Sequence, residues 1–159
     1  MPVIILETVI NAPIETVFDL SRSIDLHKLS TQNTNEEAIA GKTSGLIGLD
    51  ETVTWRARHF GVYQKLTVKI TEMKRPVSFT DIMLKGAFAS MRHEHTFEEA
   101  EGITRMTDKF EFRSPLGPLG RIADSLFLKR YMTEFLKLRN LEIKRVAEGN
   151  EWQKLLHET

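Results

Sequence analysis

Over much of this chain apolar residues recur at every second position, with helical spacing in a short stretch after the first strand and again in the last quarter. "VIILETVI", Val3 to Ile10, is dense in β-branched residues and stops at Asn-Ala-Pro, which predicts a strand. "APIETVFDLSRS" follows with Pro13 in a first turn and Val17, Phe18 and Leu20 on a burial face. "IDLHKLS", with Asp25 near its start, predicts a second short helix. "TNEEAIAGKTSGLIGLDE" reads as a strand and then a Gly/Ser turn. "DETVTWRARHFGVYQKLTVKITEM" reads as two long strands around a tight Phe60-Gly61 turn. Val53, Trp55, Ala57 and His59 share one face of the first; Val62, Gln64, Leu66, Val68 and Ile70 share one face of the second. Three more strands, in "KRPVSFTDIML", "FASMRHEHTFEE" and "ITRMTDKFEFRSP", are separated by "KGA" and "EAEG". Long strands in succession with short turns predict an antiparallel meander.

After "SPLGPLG" the stretch from Arg121 to Glu148 holds no Pro or Gly. As a helix it would run roughly 40 Å, enough to cross a sheet. Leu119, Ile122, Ala123, Leu126 and Phe127 fall on one side of it. Leu128, Tyr131, Met132, Phe135, Leu136, Ile143 and Val146 fall on nearly the opposite side. One straight helix on one sheet keeps one stripe. The phase change therefore predicts a break between Phe127 and Arg130, or a homodimer partner covering the back. One domain is expected over 1–149, with a frayed tail over 150–159.

The 159 residues are 41% hydrophobic and 28% charged, enough for one soluble domain with its own core. The absence of cysteine excludes disulfides, thiolate metal sites and a cysteine nucleophile. Lys+Arg and Asp+Glu balance at 22 each, so no basic field is offered to nucleic acid or anionic lipid. "MPVIILETVINAP" lacks the regions of a signal peptide, and no apolar run suggests membrane insertion; a cytoplasmic location is expected. No serine- or cysteine-nucleophile motif and no phosphate loop are found.

The chemistry-bearing stretch is "MRHEHTFEEAEGITRMTDKFEF". Alternation turns Met91, His93, His95 and Phe97 to one side, with Met106, Asp108, Phe110 and Phe112 on the matching side of the next strand. A turn made by all of "EAEG" would set Glu98 opposite Ile103, His95 opposite Met106, His93 opposite Asp108 and Met91 opposite Phe110. Phe79, Asp81 and Met83 share the inward parity one strand earlier. A buried carboxylate needs a partner, and an imidazole can supply one. A polar cluster of His93, His95, Asp81 and Asp108, with Gln64 beside it, is expected, including a His93–Asp108 hydrogen bond and His95 nearer the rim. Three readings stay open: mutually satisfied structural groups, polar anchors of a ligand cavity, or first-shell ligands of a metal. Arg56 and Arg58 take the solvent parity, and His27 and His157 are expected in solvent.

The opening "INAPIETVFDLSRSIDLHK", with "ETVTWRARHFG", "KGAFASMRHEHTFE" and "RSPLGPLGRIADSLFLKRYM", resembles the START and Bet v 1-like (SRPBCC) superfamily over nearly the whole chain. The resemblance is to a bacterial branch near the polyketide cyclase/dehydrase and coenzyme-Q-binding groups. It implies an α+β helix-grip fold: a curved antiparallel sheet wrapped around a long C-terminal helix, with two short helices after the first strand. It also implies a cavity between sheet and helix. The side chains expected to line it are Trp55, Leu66, Phe79, Met83, Met91, Phe97, Phe110, Phe112, Leu119 and Phe127. Binding of a small hydrophobic or amphipathic molecule is the expected function, without a cofactor. The alternatives are a cyclase- or dehydratase-like enzyme using His93 and Asp108 for proton transfer, and an interaction protein that regulates a partner.

Overall fold

A computed structural model describes residues 1–115, 117–123 and 127–157. Strand β1 (Val3–Ile10) leads into helices α1 (Ile14–Ser21) and α2 (Ile24–Ser30), and a short 3-10 turn precedes β2 (Glu37–Gly41). A meander follows: β3 (Thr52–His59), β4 (Val62–Lys74), β5 (Ser78–Lys85), β6 (Ser90–Ala100) and β7 (Ile103–Arg113). The chain closes with α3 (Gly117–Ala123), α4 (Lys129–Glu148) and α5 (Trp152–His157). The strands form one seven-stranded sheet in the order β1-β7-β6-β5-β4-β3-β2, antiparallel throughout. This is the helix-grip arrangement.

Local chemistry sets the corners. Phe60 and Gly61 both take positive φ, 53° and 77°, the two-residue hairpin turn that matches strand twist. Glu101 and Gly102 do the same at 54° and 78°. The β6–β7 turn is therefore two residues long, not four, and the register differs from the expected one by two. His95 stands opposite Asp108, His93 opposite Phe110, Met91 opposite Phe112 and Glu98 opposite Arg105. A shift of two preserves parity, so the inward set is unchanged.

Helix α1 is capped from the sheet: Glu99 Oε2 accepts from the Ile14 N–H at 2.8 Å. The Ser23 side chain caps α2 by accepting from the Leu26 N–H. Phe18, fully buried, packs edge-on against Phe79 and Phe97 at centroid distances of 5.5 and 5.3 Å. Helix α4 packs on β1, α1 and α2, burying Leu136, Arg139, Asn140, Ile143, Val146 and Ala147 on one face.

Three terminal expectations change. Phe127 and Leu128 run in helical backbone into α4, so the expected break does not fall between Phe127 and Arg130; Leu126 and the side chain of Ala123 lie outside the described residues. Leu119 (77% exposed) and Phe127 (57% exposed) face solvent. Beyond Gly149 a short helix replaces the frayed tail, and Trp152, Leu155 and Leu156 pack against the core.

Truncating Phe18 leaves a cavity where α1 meets β5 and β6. Phe18→Ala should lower the unfolding free energy by about 3–5 kcal/mol, measured by urea titration followed by circular dichroism. A loss under about 1 kcal/mol would mean that the site collapses around the gap or that the ring is not packed as described.

Candidate functional site

The inward histidines and aspartates meet as expected, and α4 adds two partners the sequence reading missed. His93 Nε2 lies 2.9 Å from Asp108 Oδ1, and His95 Nε2 lies 3.1 Å from Asp81 Oδ2. His95 Nδ1 also faces Asp108 Oδ1 at 3.1 Å. From α4, Arg139 Nη1 donates to Asp108 Oδ1 at 3.2 Å and Asn140 Nδ2 donates to Asp108 Oδ2 at 2.7 Å. Arg139 Nη2 reaches the Ser21 carbonyl at the end of α1. The imidazoles of His93 and His95 lie with centroids 3.8 Å apart, and Phe79 stacks on His95 at 4.1 Å. His95 is therefore enclosed rather than near a rim.

Burial alone would raise the Asp108 carboxyl, but hydrogen bonds from His93 and His95 and the Arg139 charge hold it well below the usual carboxylate range. Asp81 is likewise lowered against the pull of burial, by the His95 hydrogen bond and the charges around it. Burial, then the charge of His95, push His93 down to about 4, outweighing Asp108. His93 is thus neutral at pH 7 and its Nε2–H donates to Asp108, an assignment that follows from the network. Asp81, His93 and His95 offer three ligand atoms within 4.8 Å of one another. His93 Nε2 and His95 Nε2 are already engaged with carboxylates, while His95 Nδ1 completes no hydrogen bond, and the Arg139 charge in the same cluster opposes a cation, so a largely satisfied polar cluster fits this donor set better than a metal.

Among the described residues, two cavities lie on the inner face, with Trp55 bordering both. The smaller, about 100 Å³, is bordered by Phe79, Asp81, His93, His95 and Arg139, with Arg22 and His27 opposite. The larger, about 340 Å³, lies under the first turns of α4, between Leu128, Tyr131, Met132 and Phe135 and the β3–β4 hairpin. Of the residues expected to line a cavity, Trp55, Gln64 and Leu66 border the larger, and Phe79, Asp81, His93 and His95 only the smaller. Met91, Phe97, Asp108, Phe110 and Phe112 are packed into the core, Met83 packs partly buried against it, and none of these borders either cavity. Leu119 and Phe127 border neither as well; Phe127 instead meets the Phe60 ring at 5.3 Å. Gln64 stands apart from the histidine cluster.

The larger cavity has polar groups that the sequence reading did not select. His59 Nδ1 lies 2.6 Å from the Tyr131 hydroxyl. Burial lowers His59 against the opposing charge of Glu36, and burial with Glu36 raises Tyr131, so both are neutral near pH 7. His27, expected in solvent, is partly buried; its ring lies 4.3 Å from that of Trp55 and its Nε2 3.2 Å from Glu36 Oε1. The side chain of His157 lies outside the described residues. Glu36 was findable: it shares a parity with Ala38, which stands opposite Trp55 across the β2–β3 pair.

A family model described as "Polyketide cyclase / dehydrase and lipid transport" matches residues 1–148, and the chain belongs to this family. Among solved structures it is similar to a protein from Thermus thermophilus at 16% identity and a TM-score of 0.71, over 92% of this chain and 99% of that one. It is also similar to a START superfamily protein from Mycobacterium smegmatis, at 10% identity, TM-score 0.70, over 92% and 97% of the two chains. The major latex-like protein 151 of Panax ginseng gives 13%, 0.64, 93% and 98%. At these identities the likeness is one of fold. No curated protein matches this sequence. Among the described residues no helix is long and apolar enough to cross a membrane.

Two outcomes test the cluster. Arg139→Met leaves the buried Asp108 charge short of its cationic partner and should cost about 3–5 kcal/mol in a urea titration, with part regained in Arg139→Met/Asp108→Leu. Acid should also destabilise the fold. His93 protonates near 6.5 when unfolded and near 4 when folded. Between those values the unfolded chain binds the extra proton, so stability falls as pH drops through this window, by at most about 1.4 kcal/mol per pH unit. His59, also lowered, acts in the same sense, and the depressed Asp81 and Asp108 add a further loss below about pH 4. His93→Gln should flatten the slope between pH 6.5 and 4; an unchanged slope would remove His93 as its source.

Proposed function

We propose that this chain, as a member of the polyketide cyclase/dehydrase and lipid-transport family, binds a small, mostly apolar molecule in the cavity of about 340 Å³ beneath the start of α4. The observation that carries this reading is the make-up of the wall. Trp55, Ala57, Leu66, Phe88, Leu128, Met132 and Phe135 form an apolar enclosure, into which only a few polar groups project. That composition and size are those of a small-molecule site. The histidine–aspartate cluster lies on the other side of Trp55. Its role in this reading is to hold α4 on the sheet, so that the cavity keeps its shape. The cyclase- or dehydratase-like alternative through His93 and Asp108 has less support, because His93 borders only the smaller space and Asp108 borders neither.

The test is a fluorescence titration with N-phenyl-1-naphthylamine, a neutral apolar probe. The wild-type chain should bind one equivalent saturably, with a rise in emission. Ala57→Phe puts a ring into the cavity and should weaken binding at least roughly tenfold, while far-ultraviolet circular dichroism keeps the native spectrum. Absence of saturable binding by the wild-type chain would overturn the reading.

A further inference from the structure

Gln64 brings to the larger cavity a polar tip that is both unpaired and within reach. It stands on β4 opposite Ala57 of β3, and Leu66, next on the same face, stands opposite Trp55. All four border the cavity. The glutamine is partly buried. Among the described residues its carboxamide has no hydrogen-bond partner, yet neither of its polar atoms is sealed off from its surroundings. Whichever way the amide is turned, one donor and one acceptor stand side by side on an otherwise apolar stretch of wall.

The other polar groups of the wall are differently placed. The His59 and Tyr131 side chains are joined to each other. The Glu36 carboxyl lies 3.2 Å from His27 Nε2 and is also hydrogen-bonded by Thr31. Ser114 is buried, and Lys65 is exposed at the margin. Gln64 thus offers the enclosed space a neutral donor–acceptor pair that nothing described in the protein uses.

We propose that Gln64 is the polar anchor of this cavity, and that it selects a neutral ligand carrying a primary amide or a lactam on an apolar body. This rests on the ligand-binding reading given above. A carboxamide presents its N–H and its C=O side by side, and a second amide of the same arrangement meets both at once with two parallel hydrogen bonds. A ketone or an ester accepts from the N–H and leaves the C=O unpaired. An ammonium gives to the C=O alone and brings a full charge out of water. A carboxylate is opposed by Glu36. Burial would raise that carboxyl, but His27 outweighs it and keeps Glu36 on the ionised side of its ordinary value, so the two would meet as like charges in an enclosed space.

The experiment uses ligands of one shape that differ in the polar atoms. Octanamide, nonan-2-one, in which a methyl replaces the NH2, and 2-methylnon-1-ene, in which a CH2 also replaces the oxygen, compete against N-phenyl-1-naphthylamine on the wild-type chain at pH 7. Octanoate is the charged member of the set. Each competition constant for the three neutral ligands is divided by that ligand's partition from water into hexadecane, which removes the hydrophobic share. On that scale octanamide should bind at least roughly tenfold better than 2-methylnon-1-ene, with nonan-2-one between them, as two, one and no hydrogen bonds require. In Gln64→Leu, with the native circular dichroism spectrum kept, the advantage of the amide should shrink at least roughly fivefold. Gln64→Glu keeps accepting oxygens and loses the N–H, so the ketone should lose its advantage while the amide keeps part of its own. The wild-type series needs no variant and stands even if Gln64→Leu does not fold. If the probe binds and the three neutral ligands agree within about twofold, the wall gives them no hydrogen bond and the anchor assignment is wrong. It is equally wrong if octanamide keeps its whole advantage in folded Gln64→Leu, since another group then holds the amide. If octanoate displaces the probe at the lowest concentration, Lys65 at the margin is the anchor and a neutral ligand is not selected. If the probe does not bind at all, the cavity reading itself falls, and this inference with it.

Discussion

Asp108 is a carboxylate with no exposure to water, at the middle of an otherwise apolar concavity. Everything around it is arranged to make that tolerable. A buried charge is stable only when geometry and hydrogen bonds offset the lost hydration. Here His93 and His95 come from β6, and Arg139 and Asn140 come from α4. Arg139 also reaches the end of α1 through Ser21. One carboxylate therefore joins two strands and two helices. The apolar face of α4 supplies contact area without direction. The Asp108 contacts are directional, and they fix how far along the sheet the helix sits.

That fixed point explains where the cavity opens. Below Asn140, α4 is seated on β1 by Ile143, Val146 and Ala147, all buried. Above Arg139, Leu128, Tyr131, Met132 and Phe135 border the larger cavity, with Leu128 and Met132 also touching the core. The helix is clamped at its middle and carboxyl end, and its first turns stand off from β3 and β4. Phe60, Phe127 and Tyr131 gather their rings at this raised end, the last two within 5.3 and 4.6 Å of Phe60.

The fold was legible because each strand's alternation and each breaker pointed the same way. The inward parity of β6 and β7 was legible too, and with it the meeting of His93 with Asp108. The register was misread because all four residues of "EAEG" were assigned to the turn, whereas Glu99 and Ala100 continue β6 and only Glu101 and Gly102 make the turn. The error was harmless to facing, since a shift of two keeps every side chain on its face. The partners on α4 were hidden for another reason. Arg139 and Asn140 sit in "KRYMTEFLKLRNLEIKR", where charges on a helix read as solvated, and nothing local marks one arginine as buried. Cavity and core were also indistinguishable, because both use the inward parity of the same strands. What separates Leu66 from Phe97 is whether a helix rests on it, a fact of distant packing. Glu36 was passed over although it shares the parity of Ala38, because it stands just before β2, after the left-handed turn at Asn35, and His27 because a polar residue on a short helix reads as solvated.

Trp55 stands as a partition between the polar lock and the apolar chamber. Natural variation can therefore act on the two compartments separately. Side chains on the chamber side can be enlarged, shortened or recharged to suit a different occupant without touching the groups that pin the helix. A scaffold divided in this way can change its cargo while retaining its architecture, and its sequence can drift far on one side of a single indole ring while the other side stays under constraint.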